Sequence, residues 1–250
     1  MRVTFIQHSC FLVELKQHVL LFDYFPAGDY NGISFGGKLP KIDPSKRLYV
    51  FASHSHGDHF RLDVLKWIDE WPDIQYVLSK DCKRSGGNLE KNGINPEVRN
   101  HILYVTPLHT YRLDDLVIKT LRSTDAGVAF YIEVEDKHIY HAGDLNWWST
   151  GNEHDINANV IGAAYRRELA RIADNHIDIA FVVLDGRLGN ASALGMKYFL
   201  EHMDADVVFP MHMWREYEWI NKLKRIPELS RLQDKVVDID RENIIFNLED

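Results

Sequence analysis

The chain has 250 residues, 45% hydrophobic and 26% charged, with a net charge of −8. That balance suits one folded domain over residues 1–250 and excludes a disordered or fibrous chain, while the acidic charge weighs against a general nucleic-acid surface. No run nears the roughly 20 apolar residues that cross a bilayer. Two cysteines are too few for a disulfide scaffold, and Met1 to Ile6 enters a strand pattern with no secretory signal, so a cytoplasmic protein without a membrane partner is expected.

In chain order, residues 2–7, 10–15 and 19–23 read as three short strands. The stretch from Phe25 to Leu39 is rich in glycine and aromatic residues and too irregular for a strand or helix. A loop of that length is uncommon unless functional or mobile. Residues 48–52 form an apolar run typical of a buried strand, and 61–71 has the apolar spacing of an amphipathic helix. A strand at 75–78, a helix at 81–91 and a strand at 102–105 follow. Strands at 116–121, 128–134 and 138–142 begin a second series. It continues with helix 156–175, strand 178–184, helix 192–202, strand 206–210 and helix 216–225, and two short strands end it. Strands alone, then strands alternating with helices, occurs twice. Two packed sheets with helices on both outer faces satisfy that pattern, a four-layer αββα sandwich of the α/β class.

Between the strand at 48–52 and the helix at 61–71 stands His54-Ser55-His56-Gly57-Asp58-His59. His54 and His56 are two apart, so in an extended stretch their rings leave the same side of the chain and form a chelating pair. Gly57 permits a tight reversal, after which Asp58 and His59 face a second metal position, roughly 3.5–4 Å from the first in two-metal hydrolytic sites. The strand at 138–142 ends in Ala142-Gly143-Asp144, which places an acid on the next loop. The strand at 206–210 closes at Pro210 and is followed by His212. Taken singly, a turn aspartate and a lone strand-end histidine are commonly structural. Beside the first cluster both read as metal ligands. Cys10 lies in an apolar strand and reads as core.

This arrangement resembles the metallo-β-lactamase superfamily over nearly the full chain: paired amino-terminal strands, Asp23 after the third strand, the His-x-His-x-Asp-His block, Gly143-Asp144 and the late His212. Within it, the turn Gln7-His8-Ser9 is most like the small single-domain members of the ascorbate-phosphate lactonase group. The resemblance implies that His54 and His56 hold a first metal, Asp58, His59 and His212 a second, and that Asp144 bridges them. It also implies that Asp23 sets the tautomer of a ligand imidazole and that His8 lies beside the metals, supporting a ligand or touching substrate.

One ligand of the family pattern is missing. The loop Leu121-Arg122-Ser123-Thr124-Asp125-Ala126-Gly127 has no histidine where a third one is expected for the first metal. Ser123, Thr124 or Asp125 is left to supply an oxygen or hold a water, and the first position is expected to be the weaker. At least one divalent metal is expected, zinc before manganese, iron or nickel, with a second less firmly held.

The implied reaction is hydrolysis of an ester, lactone, amide or phosphodiester bond of a small molecule by a metal-bound hydroxide, with Asp58 and Asp144 as the catalytic carboxylates. Two alternatives stand beside it: a metal-dependent nuclease or phosphodiesterase, and a non-catalytic, metal-stabilised binding protein with a degenerate first site. Trp147, Trp148 and Trp214 are candidates for a pocket wall, and Arg122, Arg166, Arg167 and Arg187 for receiving an anionic substrate. Specificity is assigned to loops 24–39, 122–127, 145–155 and 186–192. The sequence leaves a homo-oligomer open.

Overall fold

In the computed structural model, which describes residues 1–151 and 156–248, Val3 lies opposite Val13 and Phe5 opposite Phe11 across the first strand pair. These pairings set the register of β1 (Arg2–Gln7) against β2 (Cys10–Glu14), and β3 (His18–Phe22) continues the antiparallel ladder. A small separate hairpin follows, β4 (Gly28–Tyr30) with β5 (Ile33–Phe35). The chain then returns to add β6 (Arg47–Ala52), β7 (Gln75–Ser79) and β8 (Ile102–Val105), all parallel to β3, with the short helix α1 (Gly86–Lys91) between β7 and β8. The last strand of the chain, β15 (Ile244–Asn247), pairs with β1 and completes seven strands in the order β15-β1-β2-β3-β6-β7-β8.

This sheet belongs to the first of two compact units, Met1–Thr106 with Glu242–Asp250. One of its faces carries Ile6, Leu12, Leu21 and Val50 into a core with Val64, Leu65, Leu89 and Val98. Because side chains alternate along a strand, Phe5, Phe11, Phe22 and Phe51 share the other face, where they are also buried and pair ring to ring.

The second unit spans Pro107–Arg241. An antiparallel meander, β9 (Thr110–Leu113), β10 (Leu116–Arg122), β11 (Val128–Val134) and β12 (Lys137–His141), is extended by two parallel strands, β13 (Ile177–Val183) and β14 (Ala205–Met211). Parallel neighbours need long crossovers, usually helical. Helix α2 (Ile156–Leu169) links β12 to β13, and α3 (Leu194–His202) links β13 to β14. Tyr165 of α2 donates to the Gly195 carbonyl of α3 at 2.9 Å, and Phe199 of α3 stacks on Tyr140 of β12. Pro210 lacks a ladder donor, and its strand β14 is indeed an edge strand. After β14 comes α4 (Glu218–Lys224).

Each unit therefore lays down antiparallel strands before parallel ones, with β15 returning antiparallel to the edge of the first, and this is the α/β pattern expected, but several elements differ in kind. The helix expected over 61–71 is a run of three-residue turns, Leu62–Asp69. There the Val64 carbonyl receives the Tyr76 hydroxyl at 3.0 Å, and Val64 and Leu65 remain buried on one side as the spacing required. The helix expected over 81–91 shrinks to Gly86–Lys91, because Lys83 is extended and Ser85 caps the start by accepting from the Asn88 amide. Among the described residues, one terminal strand forms where two were expected. The stretch expected to be irregular contains the β4–β5 hairpin, and β9 was not anticipated.

Candidate metal centre

The strand ends deliver the chemistry. His8 follows β1, Asp23 follows β3 and His212 follows β14, and all three hold left-handed backbone angles, φ of 49°, 45° and 62°. Such angles cost a non-glycine residue about 1–3 kcal/mol and persist where surrounding structure imposes them. Asp23 is fixed by its amide, which donates to the Phe51 carbonyl at 2.9 Å.

In the first unit, Asp23 is fully buried and serves three donors. The Ser53 amide and hydroxyl each reach it at 2.7 Å, and His59 Nδ1 reaches its Oδ2 at 2.7 Å. A carboxylate only accepts, so His59 carries its proton on Nδ1 and presents the Nε2 lone pair on the other side. There Asp58 Oδ2 lies 3.8 Å from His59 Nε2 and 3.3 Å from His8 Nε2. His8, Asp58 and His59 each bring one ligand atom within 4.8 Å of the others. Two atoms about 2.1 Å from one zinc ion at tetrahedral angles are about 3.4 Å apart. These buried side chains stand at ligand spacing.

His54 and His56 meet more closely, Nε2 to Nδ1 at 2.9 Å. That is hydrogen-bond spacing, and two ligands of one ion would stand farther apart. The block is also tied from outside, because the Asp81 carboxylate accepts from the Ser55 amide at 2.8 Å. Burial raises the Asp81 pKa, and hydrogen bonds from Ser79 and Ser55 outweigh this and lower it. Cys10 is buried with its thiol pushed up by that burial and by Asp23, in keeping with a core role.

The second unit repeats the motif. His212 Nδ1 lies 3.0 Å from Asp185 Oδ2, and its Nε2 lies 3.4 Å from Asp144 Oδ1. Burial raises the Asp185 carboxyl, but hydrogen bonds and charge from His212 and Arg187 hold it well below the usual carboxylate range. Trp148 and Trp214 both meet the His212 ring edge-on, and the Arg187 guanidinium lies over Trp214. Arg187 is thus engaged with Asp185 at 2.6 Å and Trp214. Arg166 covers Trp147, and Arg167 reaches Glu168. His141 is buried, with its Nδ1 accepting from the Gly143 amide.

In the loop without the third histidine, Thr124 Oγ1 is taken up by the backbone of Asn146, and Ser123 Oγ accepts from the Asp125 amide. Asp125 and Asp144 each bring a carboxylate oxygen within 4.8 Å of the other. Within loop 145–155, residues 152–155 lie outside the described residues. Asp185 and Ser53 are not among the residues that the sequence motifs single out. Asp185 had a readable signal, since it follows β13 as Asp23 follows β3 and Asp144 follows β12. The role of Ser53 depends on folding against Asp23 and leaves no mark in the sequence.

Two carboxylate–histidine–carboxylate relays at the ends of mixed sheets define a metal-binding α/β protein. The β-lactamase superfamily domain model matches residues 2–160, and the chain belongs to the metallo-β-lactamase superfamily of metal-dependent hydrolases. It is similar to a UPF0173 metal-dependent hydrolase of Korarchaeum cryptofilum, 27% identical over 240 residues that cover 91% of this chain and 87% of that one. Among solved structures it is similar to Igni18, a metallo hydrolase of Ignicoccus hospitalis, with a TM-score of 0.64, 18% identity and 99% of each chain covered. It also shares the fold of CmlA, a diiron β-hydroxylase of Streptomyces venezuelae, with a TM-score of 0.58 and 13% identity over 99% of this chain and 54% of that one.

Proposed function

We propose that this metallo-hydrolase cleaves an ester, lactone, amide or phosphodiester bond of a small molecule. In this reading His54 and His56, whose rings must part from their 2.9 Å hydrogen-bond spacing to do so, hold one divalent metal, Asp58, His59 and His212 another, and Asp144 is shared. The supporting observation is the repeated relay: in each unit a buried carboxylate, Asp23 or Asp185, fixes Nδ1 of a histidine whose Nε2 faces a second carboxylate, Asp58 or Asp144. Such partners orient ligand imidazoles and raise their basicity.

A bound divalent metal supplies Lewis acidity and lowers the pKa of a coordinated water toward about 7. Asp58 would accept the proton released by the attacking water, and His8 Nε2 stands 3.3 Å from its Oδ2. Asp23 and Asp185 keep His59 and His212 in one tautomer throughout. Zinc is the first choice for imidazole and carboxylate donors, with manganese, iron and nickel taken by the same types. CmlA carries iron on a similar fold. Free, buried thiols at Cys10 and Cys82 are consistent with a reducing cytoplasm.

The reading is tested with Asp58→Ala, measuring turnover on a panel of esters, lactones and phosphodiesters and metal content separately. Turnover is expected to fall by a factor of about 10² or more, well beyond any loss of metal. Hydrolysis that persists unchanged after chelation, in protein shown to be metal-free, would overturn it.

A further inference from the structure

The segment carrying the β4–β5 hairpin is closed at its neck by one buried side chain. Gln7 Nε2 donates to the Phe25 carbonyl at 2.9 Å, and Gln7 Oε1 accepts from the Gly37 amide at 2.7 Å. Phe25 and Phe35 meet edge to face, and both rings lie against His8. The hairpin is therefore a fixed wall. At its turn Tyr30 reaches back to hydrogen-bond the Asp58 carboxylate.

Gly57 makes that approach feasible. A Cβ there would stand 2.9 Å from Cε2 of Tyr30 and 3.6 Å from Nη1 of Arg61, so the phenol ring and the guanidinium both lie against the glycine that separates His56 from Asp58. Beside them is an open surface pocket of about 200 Å³ lined by buried Phe25, half-buried Tyr30 and the exposed residues Pro26, Ala27, Asp29 and Arg61. Complete small-molecule pockets measure about 300–1,000 Å³, so this one takes a substituent. Among the described residues no carboxylate pairs with Arg61, although ion pairs occupy Arg2, Arg167, Arg171 and Arg187.

We propose that this cavity is a substrate subsite in which Arg61 receives a single carboxylate, beside the Tyr30–Asp58 hydrogen bond. The guanidinium fork matches a carboxylate with two parallel hydrogen bonds. Asp29 lines the same cavity and repels any anion there, so the pocket takes no more than the one negative charge that Arg61 offsets. The substrate class is thereby narrowed, on the hydrolase reading above, to an ester, lactone or amide that also bears one free carboxylate.

Two measurements test this. In the zinc-loaded enzyme, kcat and KM are compared for p-nitrophenyl butyrate and mono-p-nitrophenyl succinate. Arg61→Ala is expected to lower the succinate-to-butyrate ratio of kcat/KM at least tenfold, chiefly through KM, Arg61→Lys to recover part of it, and Asp29→Asn to raise it. An unchanged ratio overturns the subsite. Independently of turnover, butyrate is titrated into zinc-loaded and chelated protein while amide NMR shifts near Tyr30 and Gly57 are followed. Shifts present in both forms and lost in Arg61→Ala support the subsite. No shifts, or shifts that need zinc and survive Arg61→Ala, overturn it. If neither ester is hydrolysed but butyrate binds through Arg61, the hydrolase reading fails on those substrates while the subsite stands.

Discussion

His59 donates from Nδ1 to the Asp23 carboxylate at 2.7 Å, and Asp23 also fixes a second imidazole through an intermediary. Ser53 has one hydroxyl proton, which goes to Asp23 Oδ2. The contact between Ser53 Oγ and His54 Nδ1, 2.9 Å, therefore has the histidine as donor. One buried acid thus turns the Nε2 lone pairs of both His54 and His59 away from itself.

Replacing Asp23 with Asn leaves one oxygen for three donors. Metal affinity is expected to fall about 10–100-fold, the usual effect of losing such a partner. Competition against a chromophoric chelator measures it. The same affinity in Asp23→Asn as in the parent would show that the ring orientation is held by packing alone.

Ser53→Ala separates the two imidazoles, since it cuts the link to His54 and leaves the Asp23–His59 hydrogen bond in place. The expected outcome is loss of the more weakly held metal equivalent with the tighter one retained. Elemental analysis after graded dialysis against chelator reads this directly. Loss of both equivalents together would mean that Ser53 supports the whole cluster.

Much of this centre is legible in the sequence because strands announce their own ends. Apolar runs that stop at an acid or histidine place Asp23, Asp144 and His212, and the His54–His59 block needs no folding to be seen. What stays hidden depends on partners far along the chain. Ser53 gains its role from Asp23, and Tyr30 from Asp58, across tens of residues. The β4–β5 hairpin did carry a local signal, Asn31-Gly32, with φ of 50° and 78°, the turn pair that suits a two-residue hairpin. Its three-residue strands are too short for alternation to show. The turns over Leu62–Asp69 look like an α-helix in sequence because apolar spacing reports which side is buried, and three-residue turns satisfy that nearly as well.

Gly162 in α2 offers a test in which two effects oppose. Helix propensity favours alanine over glycine by about 0.8–1 kcal/mol. A Cβ at Gly162 would, however, enter the indole ring of Trp147, which is held by its own hydrogen bond to the Ala158 carbonyl at 3.0 Å and by Arg166 over its face. Overpacking costs about 1–3 kcal/mol. Gly162→Ala is expected to be destabilised on balance in urea unfolding, and a more stable variant would show that the indole moves aside freely.

Chelation should destabilise the protein as well as silence it. A metal present at a hundred times its Kd adds about 2.7 kcal/mol to the folded state. In a chain of this size about 2–4 °C accompanies each kcal/mol, so the Tm is expected to drop by about 5–10 °C. Differential scanning calorimetry with and without chelator reads it, and re-addition of zinc should restore the transition. Asp58→Ala should show a smaller drop, because it begins with weaker binding.

Away from the centre, His176 gives a pH-dependent contribution of known direction. It lies between Asp204 at 3.0 Å and Asp206 at 3.1 Å, with Asp178 and His138 also facing it. The hydrogen bond to Asp204 raises its pKa most, desolvation lowers it, and the charges of Asp206, Asp204 and Asp178 add to the rise, so the net shift is upward. Because the folded value lies above the unfolded one, about 6.5, the contribution is fully present below that pH and is lost as pH rises through the folded value. The three groups are largely exposed, so solvent keeps the effect small. NMR titration of the His176 ring should give a midpoint above 6.5 that falls in Asp204→Asn. The Tm gap between the two proteins should narrow from pH 6 to pH 9. A gap that widens over that range would show that His176 loses its proton on folding instead of retaining it.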